Sequence, residues 1–153
     1  MKKYELTAEF IEKWGKKLFR IKALISFGSV EAGKLGGYVE KEDNLAQDGD
    51  AWVYGDAWVC GNARVYGNAD YLLIGRIGSR FSFTTFFKNK DKGITVSCGC
   101  FLGTIAEFRA KVTDTHGNNK HAKMYNLAAD MAELQILGEE HFDKLNTNKS
   151  EPF

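Results

Sequence analysis

Arg76, Gly78-Ser79-Arg80 and Thr84-Thr85 place two guanidinium groups, three hydroxyls and a conformationally free glycine in one short stretch. Arginine grips phosphate with a bidentate fork, Ser and Thr hydroxyls donate to its oxygens, and glycine lets the backbone approach closely. Phe81, Phe83, Phe86, Tyr66 and Tyr71 lie nearby in sequence and offer faces on which a base can stack. The set predicts a site for a small anionic, nucleotide-like ligand, with Arg76, Ser79, Arg80, Thr84 and Thr85 as phosphate contacts. The competing reading is plainer: Lys88, Lys90 and Lys92 are solvated around a hairpin turn, and the phenylalanines are core.

Cys98-Gly99-Cys100 is the second candidate. Residues two apart on a strand share a face, so the pair with His116 is a conceivable metal or thiol site. Structural zinc prefers two residues between cysteines and four ligands, which leaves small buried thiols under a helix as the simpler reading. No metal ligand and no cofactor is assigned.

The element that must position these groups is Asp50 to Ala69, which reads DAWVYG, DAWVCG, NARVYG, NA. Ala51, Ala57, Ala63 and Ala69 hold one phase, Val53, Val59 and Val65 a second, and Gly55, Gly61 and Gly67 a third. The glycine followed by Asp or Asn bends the chain every six residues, while Ala and Val two apart point the same way. The pattern resembles the hexapeptide repeat of left-handed β-helix proteins, and the expected fold is a short left-handed β-helix with Trp52, Trp58 and Arg64 in an outer column. An ordinary β-meander with Asn/Gly turns is the alternative. Trp52 and Trp58 are the expected oligomer interface, since buried tryptophans contribute strongly to association. Hexapeptide proteins are often acyltransferases with a general-base histidine on the coil. His116, His121 and His141 all lie outside the repeats, so the coil reads as a scaffold and no catalytic residue is assigned.

The 153 residues carry 21 basic and 20 acidic side chains, a net charge of +1, so bulk charge draws the chain to neither long nucleic acid nor membrane. No apolar run is long enough to span a bilayer, and three cysteines do not make a secreted disulfide framework, so the expected location is cytoplasmic.

Three segments are expected. Residues 1–70 form an N-terminal hairpin, turning near Gly15 and capping the β-helix, with Phe27 to Leu45 as irregular coil leading into it. Residues 71–145 form a β-hairpin around Asn89 to Gly93 and two α-helices, and 146–153 is a disordered tail. The class is mainly β with C-terminal helices, α+β. Thr104-Ile105-Ala106-Glu107 is a capping box opening a helix that Gly117 stops; a second helix follows Asn118-Asn119 and ends at Gly138.

Beyond the repeats, Lys3 to Thr7, Ala32 to Glu40, Asn44-Leu45, Ile77 to Arg80, Thr84 to Phe87, Cys98 to Phe101, Gly103-Thr104 and Thr115 to Asn118 carry a further likeness. On them the chain resembles a family of phage and prophage proteins with hexapeptide-type repeats and a C-terminal CGCF/THG-type α+β module. The resemblance implies a phage origin and a homo-oligomer, commonly a trimer. By analogy with phage sponges, the expected function is non-enzymatic sequestration of a nucleotide-derived defence signal. A structural module docking a host or virion protein is the alternative, and a hexapeptide-type acyltransferase the third.

Overall fold

Two strands and a tight turn begin the chain in the computed structural model, which describes residues 2–150, with side chains through Leu145. Strands β1 (Tyr4–Lys13) and β2 (Lys16–Ala23) form an antiparallel hairpin. Trp14 and Gly15 between them both take left-handed backbone, φ 54° and 73°, the conformation that matches strand twist in a two-residue turn. That conformation is costly for tryptophan. It is offset by the ring, which packs edge-on against Trp58 at 5.9 Å and donates its indole N–H to the Cys100 carbonyl at 2.8 Å.

Strand β3 (Leu35–Val39) pairs antiparallel with β2, and the two-residue β4 (Trp58–Val59) pairs parallel with β3, giving the order β1-β2-β3-β4. Gly36 and Gly37 are what let the repeats close on β3. A Cβ on Gly36 would stand 2.6 Å from the Val53 carbonyl oxygen, and one on Gly37 2.8 Å from a Val53 methyl. The segment expected to be irregular coil therefore contains a central strand.

The expected left-handed β-helix is not formed. The hexads contribute one short strand, paired with β3, and two isolated bridges outside it, Val65 parallel to Leu45 and Ala63 antiparallel to Asn89. The physical reason is coil number: a solenoid buries its inner column only when further turns stack above and below. Here the six-residue units close a mixed sheet with an antiparallel hairpin instead. Ala51, Val53, Ala57, Val59, Ala63 and Val65 are all buried, packed with Tyr4, Leu18 and Ile21 from the hairpin and Phe87 from the second sheet.

That second sheet is an antiparallel meander of β5 (Tyr71–Ile77), β6 (Ser82–Lys88), β7 (Ile94–Cys98) and β8 (Phe101–Thr104). Adjacent residues on a strand face opposite ways, which divides Phe87, in the first core, from Phe86, in the second. The second core lies under α1 (Ile105–His116) and α2 (Lys120–Ala132), and a third helix, α3 (Glu139–Ser150), follows where two were expected. Thr104 and Glu107 cap α1 reciprocally at 2.8 and 3.1 Å, and Asn119 caps α2 through the Ala122 N–H. A π-helical turn, Glu133–Leu137, continues α2 to Gly138. Arg109 of α1 ties the two helices by bonding Asp130 at 2.7 Å and the buried Glu133. The tail expected to be disordered falls partly on α3, and its residues 151–153 lie outside the described residues. Among the described residues no helix is long and apolar enough to cross a membrane.

Candidate functional site

The two sheets are sewn together at the Trp58 backbone. Its N–H donates to Thr85 Oγ1 at 3.1 Å, and its carbonyl accepts from Ser97 Oγ at 2.8 Å. The Trp58 ring is held edge-on to Trp14, and the Lys13 ammonium lies 5.0 Å from its centroid, a cation–π contact.

Beside this seam opens a cleft of about 330 Å³, within the size range of small-molecule sites. Asp56 and Trp58 line it from the repeats, Arg76 from β5, Ser82, Phe83 and Thr85 from β6, with Phe81 before that strand and Gly99 from the β7–β8 turn. Phe81 is 72% exposed and has φ 48°, left-handed backbone that a bulky residue adopts only when its surroundings impose it. Gly75 is needed alongside, because a Cβ there would come within 2.6 Å of the Phe83 ring. Among the described residues the Arg76 side chain makes no ion pair or hydrogen bond. The cleft thus combines aromatic faces, an uncommitted guanidinium and one carboxylate.

The five predicted phosphate contacts do not converge. Arg76 and Thr85 line the cleft, but the Thr85 hydroxyl is already used by the Trp58 N–H. Thr84, its neighbour on the strand, faces the other way and donates to Cys98 Sγ at 3.1 Å. Ser79 is exposed on the β5–β6 turn, while the Arg80 charge acts on Tyr125 in the helical layer. Alternation along β6 is the reason: two adjacent threonines cannot serve one site.

The Trp pair also divides. Trp52 is fully buried inside its own chain, edge-on to Tyr4 at 6.3 Å and Phe27 at 5.4 Å, so it offers no surface to a partner. The outer column expected of it required a coil that does not form. Trp58 is half-buried and forms the cleft wall. Tyr71 is core, and Tyr66 borders a different depression. Asp56 was legible only as the polar partner of a turn glycine; the cleft role of its carboxylate had no sequence signal.

On the far face of the second sheet, Cys98, Phe101, Phe108, Lys111, His116 and Tyr125 line a small cavity of about 110 Å³. Burial pushes the Tyr125 hydroxyl up to about 12, reinforced by the neighbouring Cys98 and opposed by Arg80. Its ring stacks on His116 at 5.9 Å, and a Cβ on Gly78 would lie only 1.8 Å from its hydroxyl oxygen. Gly99 and Cys100 make the turn between β7 and β8, with φ 56° at Gly99, so Cys98 and Cys100 do not share a strand face as expected. Among the described residues no three His, Cys, Asp or Glu side chains assemble into a metal site.

A larger depression, about 510 Å³, is bounded by Glu42, Asp43 and Asp48 beside Arg64. Its acidic surplus repels anions, and the Trp58–Arg76–Phe81 cleft is the better candidate despite its smaller volume. No protein-family model matches the chain, and neither does any curated protein.

Proposed function

We propose that the chain binds a small, planar, anionic ligand of nucleotide type in the Trp58–Arg76–Phe81 cleft and holds it without turning it over. The observation that carries this reading is the unpaired Arg76 guanidinium set among exposed aromatic surface, a combination that suits a charged head and a flat body. Asp56 supplies an acceptor for ring N–H groups at the same rim. The titratable side chains lining the cleft are Asp56 and Arg76, a recognition pair; His116 stacks on Tyr125 in the helical layer, with His121 tilted against His116. The biological role we propose is that of the phage resemblance, withholding a nucleotide-derived signal from host defence.

Incubation with a panel of cyclic and linear nucleotides, followed by washing, denaturation and mass spectrometry of the released ligand, tests this directly. One nucleotide is retained unchanged, and binding falls at least about tenfold in Arg76→Gln and in Phe81→Ala, roughly the loss of one charge-assisted fork or one stacked ring. Arg80→Ala binds like the parent. Equal retention by Arg76→Gln, conversion of the ligand, or binding to none of the panel overturns the proposal.

A further inference from the structure

Asp56 and Arg76 line one cleft without pairing with each other. Arg76 suits an anion. Asp56 does the reverse, because a carboxylate beside a bound anion weakens binding by repulsion unless it accepts N–H groups from the same molecule. Among the described residues its side chain makes no hydrogen bond or ion pair, whereas the same position of the repeat elsewhere serves the fold. Asn68, two units on, accepts the Trp52 N–H at 3.0 Å and donates to the Asp50 carbonyl at 3.4 Å. Asp56 is exposed but firmly mounted: the Ala57 N–H donates to the Tyr54 carbonyl at 3.1 Å across the turn, and Trp58 is clamped by Thr85 and Ser97. A side chain without a structural partner, on backbone fixed at both ends, is placed to read a ligand.

What a carboxylate can read on a nucleobase follows from its inventory. It has two acceptor oxygens and no donor, so it is matched by two adjacent donors. Guanine presents such a pair, its ring N–H beside its exocyclic amine. In adenine and cytosine the amine lies beside a bare ring nitrogen, and in uracil the ring N–H lies between two carbonyls, so a carboxylate meets one donor and a repelling lone pair. Stacking cannot make this distinction, since every base has a π-face.

Resting on the reading of the cleft as a nucleotide site, we propose that the base it selects is guanine, with the Asp56 carboxylate accepting from both donors of the guanine edge. The ring lies against the exposed Phe81 face, and the phosphate meets Arg76. The two unpaired charges thus mark the two ends of one ligand. Arg76 supplies affinity for any nucleotide, and Asp56 determines which base is kept.

Calorimetric titration of the full chain with the ribonucleoside monophosphates of guanine, hypoxanthine, adenine and xanthine reads the result as a ratio of dissociation constants. The guanine nucleotide binds tightest. Hypoxanthine keeps the ring N–H but lacks the amine and is about tenfold weaker, while adenine, with one donor and a repelled lone pair, is at least about a hundredfold weaker. Asp56→Asn exchanges one acceptor for a donor, so guanine binding falls at least about tenfold and xanthine, with a carbonyl in place of the amine, overtakes it. The variant melts with the parent, because the carboxylate bonds nothing in the fold. Adenine or hypoxanthine bound as tightly as guanine, or guanine binding indifferent to Asp56→Asn, overturns the choice of base; the nucleotide reading then still stands on the loss caused by Arg76→Gln. Retention of a guanine-free nucleotide from the wider panel by a chain that ignores all four has the same effect. A chain that binds no nucleotide at all overturns both.

Discussion

Thr84 and Thr85 are adjacent, identical in type and both buried, yet their hydroxyls should not be worth the same. Thr85 accepts the Trp58 N–H, so Thr85→Val keeps the shape and orphans a backbone donor at the seam between the sheets. Losing the bond and leaving the donor unsatisfied costs about 2 kcal/mol, within a range of roughly 1–3. For a chain of this length that lowers Tm by roughly 4–8 °C. Thr84→Val removes a hydroxyl that donates to Cys98 Sγ, a weak acceptor that loses little when left alone, so its cost stays below about 1 kcal/mol. Urea and thermal unfolding of the two single variants measure both quantities. Adding Ser97→Ala, which removes the donor to the Trp58 carbonyl, gives a double-mutant cycle with Thr85→Val whose coupling is at least about 0.5 kcal/mol, since both hold the backbone of one residue. If Thr84→Val destabilises as much as Thr85→Val, or if Thr85→Val is neutral, the Trp58 clamp is not what joins the sheets.

Three further outcomes are expected. Arg109→Ala loses about 3 kcal/mol in urea unfolding because it strands the buried Glu133, whereas a double change of Arg109→Met with Glu133→Leu recovers most of the loss. Gly78→Ala is destabilising on two counts, a left-handed φ of 84° and a Cβ driven into the Tyr125 hydroxyl; adding Tyr125→Phe restores part of the melting temperature, and no rescue would mean the contact is not tight. Alkali should unfold the chain through its buried phenols. Burial pushes Tyr71 and Tyr125 up to about 12, so their neutral forms support the fold below the unfolded value near 10, and that contribution is lost as pH rises from about 10 to 12. Stability profiles against pH should decline in that window, with a phenolate absorbance component titrating near 12.

Much of the local structure was readable in residue order. Gly15 marked the first turn, Asn89 to Gly93 the β6–β7 turn, and Thr104 with Glu107 opened α1 because the capping bonds close within four residues. The inward phases of the hexads were also legible, since period-two alternation decides which side chains share a face. None of that says what the hexads pair with. Gly36 and Gly37 looked like breakers of regular structure, yet their missing Cβ atoms are what bring β3 against Val53 and convert an expected coil into a mixed sheet.

The candidate site was half visible for the same reason. Arg76 and the phenylalanines stood out by type, but Asp56 and Trp58 reach the cleft only through the seam that Thr85 and Ser97 make across the sheets. Sequence alone determined what depends on bonds and facings among near neighbours: turns, caps and alternation. Tertiary structure decided the pairing of the repeats, the burial of Trp52 and the parting of Arg76 from Arg80. Those outcomes turn on contacts between segments dozens of residues apart, where close packing and hydrogen-bond satisfaction outweigh any local preference.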